Sequence, residues 1–191
     1  MLTYLRRSLL LVLVFTGLLG FAYGFVGTGV AQAFFSSQAN GSLTKNGSLL
    51  IGQNWNGYSQ TKILDPQWFH GRPDPDDPLM ANGKPGTSGA SNLGPRSKAL
   101  LTETKRLVEA WHAVGVQPTE DLVTGSGSGL DPDITPTDAL VQVPMVSRAT
   151  GLSSARLRAL ISSETHGPEL GFLGSSTVNV LQLNTALAKL Q

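Results

Sequence analysis

No charged side chain occurs in residues 8–44, and that gap constrains the fold more than any other feature of the chain. Residues 8–31 are almost entirely Leu, Val, Phe, Gly and Ala. As a helix rising about 1.5 Å per residue they reach roughly 36 Å, enough to cross a bilayer core of about 30 Å with some tilt. A secretory signal is the alternative, since Arg6 and Arg7 make a basic start and Ala31-Gln32-Ala33 mimics a cleavage site. The apolar part of a signal runs to about 7 to 15 residues, however, and this one is half as long again, which favours an uncleaved anchor over residues 8–33. Arg6 and Arg7 precede the span and the next basic residue is Lys45. The positive-inside rule therefore predicts a single-pass inner-membrane protein, with residues 1–7 cytoplasmic and residues 34–191 extracytoplasmic. Tyr4 and Phe34-Phe35 stand where an aromatic belt would hold the helix at each interface.

Inside the span, Gly17, Gly20, Gly24 and Gly27 are spaced three, four and three apart, which stacks them on one face of a regular helix. A small-residue face lets another helix approach closely, so these four glycines are candidate partner contacts in the membrane.

The formal charge of the 191-residue chain is +1. Without Arg6 and Arg7, twelve Lys and Arg face thirteen Asp and Glu, so nothing calls for nucleic acid. There is no Cys; thiol chemistry and disulfides are excluded, and the part after the span must stand on packing alone. Its length suits one domain. With 22 Gly and 11 Pro in the chain, that domain should be rich in turns and long loops.

The coarse reading is an α+β (mixed α/β) extracytoplasmic domain on a single N-terminal transmembrane helix. Asn46-Gly47 followed by the apolar run of residues 48–52 predicts a short hairpin. Residues 71–95 hold five prolines among Gly, Ser and Asn and read as a long loop, its base pinned by Trp68-Phe69-His70. From Ser97 the apolar positions Leu100, Leu101, Thr104, Leu107, Val108, Trp111 and Val114 recur at three and four, predicting a helix that Gly115 stops. Residues 121–124 read as a short strand feeding the Gly-Ser loop of residues 125–134. Thr135, Pro136 and Asp138 place an N-cap, a first-turn proline and a first-turn acid in order, so a helix starts there, carries Pro144 as a kink and ends at Gly151. Leu152 and Ser153 open a third helix, with Leu152 set to staple against Leu157. Residues 177–183 are β-rich and predict a late buried strand, followed by a short helix from Asn184.

The Gly-Ser loop fails each motif it superficially suggests. A P-loop needs Gly-Lys-Ser/Thr where the chain has Leu130-Asp131, and no lysine is near. A nucleophile elbow needs Ser centred between glycines at two-residue spacing, whereas Ser126 and Ser128 fall on its variable positions. Asp131, Asp133 and Thr135 begin like a calcium loop, but Pro136 replaces the required Gly and Gln142 the bidentate Glu. Asp74, Asp76 and Asp77 read as a solvated loop, not a metal site. Of the three histidines, His112 follows Trp111 on a helix and His166 sits at a helix end beside Gly167, both structural placements. No catalytic residue and no metal ligand is assigned.

The motifs in order nevertheless carry a resemblance. They are the N-terminal span, Gln38-Ala39-Asn40-Gly41-Ser42, residues 47–53, Gly71-Arg72-Pro73, Ser88-Gly89-Ala90-Ser91-Asn92-Leu93, residues 121–136, Gln142-Val143-Pro144 and residues 178–184. Over nearly its whole length the chain resembles the C-subunit family, KdpC, of the Kdp potassium-transporting P-type ATPase. It departs in having Gly24 where many members carry a proline and Ala90 where Gly is frequent. The resemblance implies a complex in which a channel-like subunit binds potassium and a P-type pump subunit binds ATP and Mg. This chain would be a non-catalytic accessory needed for assembly and activity. The family is also described as a catalytic chaperone that raises ATP affinity, with the loop containing Ser126, Gly127, Ser128 and Gly129 likened to a nucleotide signature. An external loop cannot meet cytoplasmic ATP, so the charge argument makes any such effect an indirect coupling through the membrane assembly. Arg72, Ser88, Asn92, Leu130 and Asp131, in the two loops expected to grip the channel-like subunit, are the candidate contacts outside the membrane, and lipid is the remaining partner. The competing class is a membrane-tethered extracytoplasmic binding or hydrolytic module.

Overall fold

The computed structural model describes residues 1–53, 55, 64–73 and 88–191. The chain divides into two compact units, Met1–Leu43 and Thr44–Gln191.

The first unit is one long apolar helix, Leu2–Phe34, with a mean hydropathy of 2.4. It is longer than the expected span and takes in Tyr4, Arg6 and Arg7. At 1.5 Å per residue its 33 residues reach about 50 Å, more than the bilayer core requires. It is built as α1 (Leu2–Phe15), a π segment (Thr16–Ala22) and α2 (Tyr23–Phe34). The π segment, with its i→i+5 bonding, holds Gly17 and Gly20, while Gly24 and Gly27 lie on α2. A Cβ at Gly17, Gly24 or Gly27 would meet nothing within 4 Å, so these positions stay open on the helix surface. A one-turn helix, α3 (Ser36–Ala39), follows; the Asn40 side chain reaches back to Gln32 at 3.1 Å and to the Ser36 carbonyl at 2.6 Å.

The second unit is α+β. Its two-stranded hairpin, β1 (Leu43–Thr44) with β2 (Gly47–Ser48), is shorter than the apolar run implied. The strand stops because Ser48 Oγ accepts the Leu50 N–H at 3.1 Å and the Leu49 carbonyl is taken by Asn179 at 3.0 Å. The expected helix is α4 (Lys98–Ala113), ended by Gly115 at φ +76°. Buried Leu107, Ala110 and Trp111 form its inner face.

Residues 121–123 are not a strand but a 3-10 turn, Asp121–Val123. Leu122 and Val123 are both buried, which consecutive strand residues pointing to opposite faces cannot achieve against one core. The Leu122 carbonyl is moreover taken by the Trp111 indole N–H at 3.1 Å.

The helix α5 (Pro136–Thr150) carries a complete capping box: Thr135 Oγ1 accepts the Asp138 N–H at 3.2 Å and Asp138 Oδ2 accepts the Thr135 N–H at 2.8 Å. Thr119 adds a hydroxyl donor to the other Asp138 oxygen. The helix continues through Pro144, whose neighbours Val143, Met145 and Val146 are buried, and ends at Gly151 in the left-handed region at φ +75°. The next helix, α6 (Ser154–Ser163), is capped by Ser153, and Leu152 is partly buried against the core that contains the fully buried Leu157.

A three-stranded antiparallel sheet, β3 (Asp133–Ile134), β5 (Thr177–Asn179) and β4 (Thr165–His166), has β5 at its centre. His166 is therefore a strand residue opposite Thr177, not a helix end. Thr165 Oγ1 closes α6 by donating to the Ile161 carbonyl at 2.7 Å. The late strand is buried as expected but stops at Asn179, and α7 (Val180–Ala188) begins four residues before Asn184. Asn179 is the reason: its side-chain oxygen accepts the Gln182 N–H at 3.2 Å as an N-cap, while its amide donates to Asp133 at 2.8 Å. Phe69, Trp111, Val143, Val146, Leu157, Ile161, Val178, Leu183 and Leu187 make one contiguous core.

Candidate functional site

The site grows from a segment without regular structure, Trp68-Phe69-His70, that two buried amides hold as a strand neighbour would. Asn184 Oδ1 accepts the Phe69 N–H at 2.9 Å and its Nδ2 donates to the Phe69 carbonyl at 2.8 Å. Gln142 repeats the pattern one residue on, accepting the His70 N–H at 2.8 Å and donating to the His70 carbonyl at 3.0 Å. Both amides and Phe69 are fully buried, so these bonds satisfy peptide groups that water does not reach. The His70 ring stands edge-on to Trp111 at 5.9 Å. Its Nε2 lies 2.8 Å from the Asp65 carbonyl, an acceptor only, so Nε2 carries the proton. Burial pulls the His70 pKa down to about 4, against smaller raising effects from Asp65, and the ring is neutral at pH 7.

This tethered segment aims Gly71-Arg72 at the base of the Gly-Ser loop. The Arg72 guanidinium lies 3.7 Å from Asp121 and 3.8 Å from Asp131 and donates to the Gly125 carbonyl at 3.4 Å, bridging both ends of the loop. Within the loop Ser126 Oγ accepts the Gly129 N–H at 2.8 Å, Ser128 Oγ accepts the Leu130 N–H at 3.1 Å, and the two hydroxyls are 3.3 Å apart. Gly129, at φ +67°, makes the reversal that brings these N–H groups inward. The Ser128 carbonyl accepts from Gly89 N at 2.8 Å and Ser88 Oγ at 2.9 Å, joining the second loop to the first. The Leu130 carbonyl accepts the Gly52 N–H at 2.9 Å and the Pro132 carbonyl the Val180 N–H at 3.0 Å. Asp131 Oδ1 accepts the Asp133 N–H at 3.1 Å. Desolvation raises the Asp133 pKa, against the lowering bond from Asn179.

Of the residues expected to matter, Arg72, Ser88, Ser126, Ser128, Gly129, Leu130 and Asp131 thus converge on one hydrogen-bonded unit. Gly127 lies on its exposed rim, and Asn92 stands apart at φ +53° with its amide on the Ala90 carbonyl at 3.1 Å. Gly17, Gly20, Gly24 and Gly27 belong to the other unit. Asp74, Asp76 and Asp77 lie outside the described residues, as does most of the proline-rich stretch. A phosphate-binding loop presents free N–H groups; here the Gly129 and Leu130 N–H groups are bonded to the loop's own serines. The positioning residues that sequence reasoning missed are Gln142, Asn179 and Asn184. A polar residue set among apolar neighbours, as in Val141-Gln142-Val143 and Leu183-Asn184, was the available signal.

Residues 5–189 match the family model described as KdpC, K+-transporting ATPase, c chain. The chain is 46% identical over 196 residues to a potassium-transporting ATPase KdpC subunit of Sorangium cellulosum, covering 98% of each chain. The KdpC subunit of Rhodopseudomonas palustris is 43% identical over 203 residues, covering 98% of this chain and 97% of the relative. That of Gloeobacter violaceus is 46% identical over 175 residues, covering 88% and 86%. The long apolar helix, the tethered Gly71-Arg72 and the self-bonded Gly-Ser loop are thus features of a chain that belongs to the KdpC family, the c chains of K+-transporting ATPases.

Proposed function

We propose that this subunit is a non-catalytic accessory of a high-affinity, ATP-driven potassium uptake complex, anchored in the inner membrane by residues 8–33 of the helix Leu2–Phe34, with residues 1–7 inside and residues 34–191 outside. It stabilises the assembly and raises the ATP affinity of the P-type pump subunit indirectly, by favouring one state of the transmembrane complex. Such couplings are typically about 5- to 150-fold in affinity. ATP and Mg bind at the pump subunit, potassium is the transported ion, and this chain holds no cofactor. Its loops at residues 72–93 and 124–135 grip the channel-like subunit, and its membrane glycines face a partner helix.

The observation that carries this reading is family membership over residues 5–189, and two features support its details. The Arg6-Arg7 asymmetry favours an outer domain. The serine hydroxyls of the Gly-Ser loop accept the loop's own N–H groups, which favours a shaped contact surface over a nucleotide cradle.

The experiment is ATPase activity of the purified complex against ATP concentration, with and without this chain, beside calorimetry of ATP with the chain alone. Loss of apparent ATP affinity without the chain, and no micromolar binding to the chain alone, is the expected result. Micromolar binding that disappears on replacing Ser126 and Ser128 would overturn the indirect mechanism. Protease cleavage of the domain in inverted vesicles but not in spheroplasts would overturn the topology.

A further inference from the structure

Between β4 and β5 the chain makes a tight turn at residues 168–174 that does no work in the core. Glu169 and Leu173 exchange both backbone bonds at 2.9 Å, Gly171 N–H reaches the Pro168 carbonyl at 3.0 Å and Phe172 N–H the Glu169 carbonyl at 3.2 Å. The turn is closed on itself and preorganised. It presents Leu170, Phe172 and Leu173 to solvent at 80%, 74% and 51% exposure.

Leu170 is the unusual member. It sits at φ +53°, a conformation that Gly or Asn adopts more easily than a residue with a long apolar side chain. The side chain gains no burial there in return. A strained backbone position held by an exposed apolar residue points to a contact made outside the chain.

Charge chooses the kind of contact. Along residues 159–188 the charged residues are Glu164 and Glu169, with no Lys or Arg. A turn that inserts into an anionic membrane surface has basic flanks, and this one has acidic ones. Rigid aromatic and aliphatic side chains on a closed turn, with an acid at the base, fit an apolar protein pocket with a basic or N–H-bearing rim.

Resting on the reading that the chain is one subunit of a complex, we propose that residues 169–174 are a docking knob by which this domain seats on a partner subunit of the same ATPase. Leu170, Phe172 and Leu173 fill the socket and Glu169 meets its rim.

Two readouts on the full chain test it. Leu170→Asn suits the left-handed backbone and removes the apolar group. Its expected effect is an unchanged or higher thermal midpoint together with at least tenfold weaker association with the partner subunits, the size of an interface hot spot. Unchanged association, or a fall in association accompanied by a fall in midpoint, overturns the proposal. Because the chain has no Cys, Phe172→Cys offers a single thiol for a bimane label, with iodide as the quencher. The label should be quenched in vesicles of phosphatidylethanolamine and phosphatidylglycerol that hold this chain alone, and shielded once the partner subunits are added. Shielding in those vesicles without partners would assign the knob to lipid, and quenching in the complex would leave it with no partner; either overturns the proposal. If the unsubstituted chain fails to co-purify with the partner subunits, the accessory-subunit reading fails with it. If it co-purifies while both turn readouts stay flat, only the docking inference falls.

Discussion

Replacing Asn184 tests whether the two buried amides hold the site together. Asn184→Leu keeps the number and branching of side-chain heavy atoms but removes both partners of the Phe69 peptide groups, the acceptor at 2.9 Å and the donor at 2.8 Å. Phe69 is fully buried, so water cannot replace them. Each orphaned group costs about 1–3 kcal/mol, giving a loss of about 2–6 kcal/mol against a net stability of about 5–15 kcal/mol for a typical domain. Urea unfolding of the full chain in detergent, followed by tryptophan fluorescence, is the assay. With a slope of about 1–3 kcal/mol per molar, a loss of 3 kcal/mol moves the midpoint down by about 1–3 M. Asn184→Asp retains an acceptor for the Phe69 N–H but loses the donor to its carbonyl and buries a carboxylate, so it should not rescue the fold at pH 7. The tethered segment also positions Arg72, so Asn184→Leu should expose the Gly-Ser loop to protease before global unfolding. A loss below about 1 kcal/mol, with protease resistance intact, would show that the amides are not what fixes this segment.

Three further outcomes are expected. His70 has a folded pKa of about 4 against 6.5 for a solvated imidazole: below pH 6.5 the unfolded chain takes a proton that the folded chain refuses until about pH 4. Stability contributed by the neutral ring is therefore complete above about 6.5 and declines by about 3 kcal/mol down to about 4; urea titrations across that range should show the slope in the native chain and lose it in His70→Phe. A Cβ at Gly52 would lie 2.6 Å from the Asp131 carbonyl oxygen, so Gly52→Ala should cost about 1–3 kcal/mol and weaken the Gly52 bond to Leu130, read as faster amide exchange at residue 52. Arg72→Ala removes two partly exposed ion pairs and should change the unfolding free energy by less than about 1 kcal/mol, while limited proteolysis within residues 125–130 accelerates.

Elements with local causes were legible before any coordinates. The charge-free run announced the long helix, and the order Thr135, Pro136, Asp138 announced α5 because a capping box is satisfied within one turn. Gly115 and Gly151 marked helix ends because each sits in a left-handed conformation one residue past its helix or cap. The Gly-Ser loop was recognisable as distinctive, and the ordered motifs carried the family. What stayed hidden was decided by partners far along the chain. Asn184 meets Phe69 across 115 residues and Gln142 meets His70 across 72, separations at which hydrophobic periodicity says nothing about who faces whom. Asn179 reads locally as one more residue of a β-rich run; it becomes the strand end and helix cap because Asp133 and Leu49 arrive beside it. Leu122-Val123 has strand propensity, yet the Trp111 indole claims the Leu122 carbonyl and the core claims both side chains. Propensity amounts to tenths of a kcal/mol per residue, whereas an unsatisfied buried polar group or an exposed core side chain costs several times more. The α5 capping box, the helix ends at Gly115 and Gly151 and the long apolar helix were therefore the sequence's own to determine, while the Asn179 cap, the inward-bonded loop, the tethered Phe69-His70 and the placement of Arg72 were settled by tertiary hydrogen bonding.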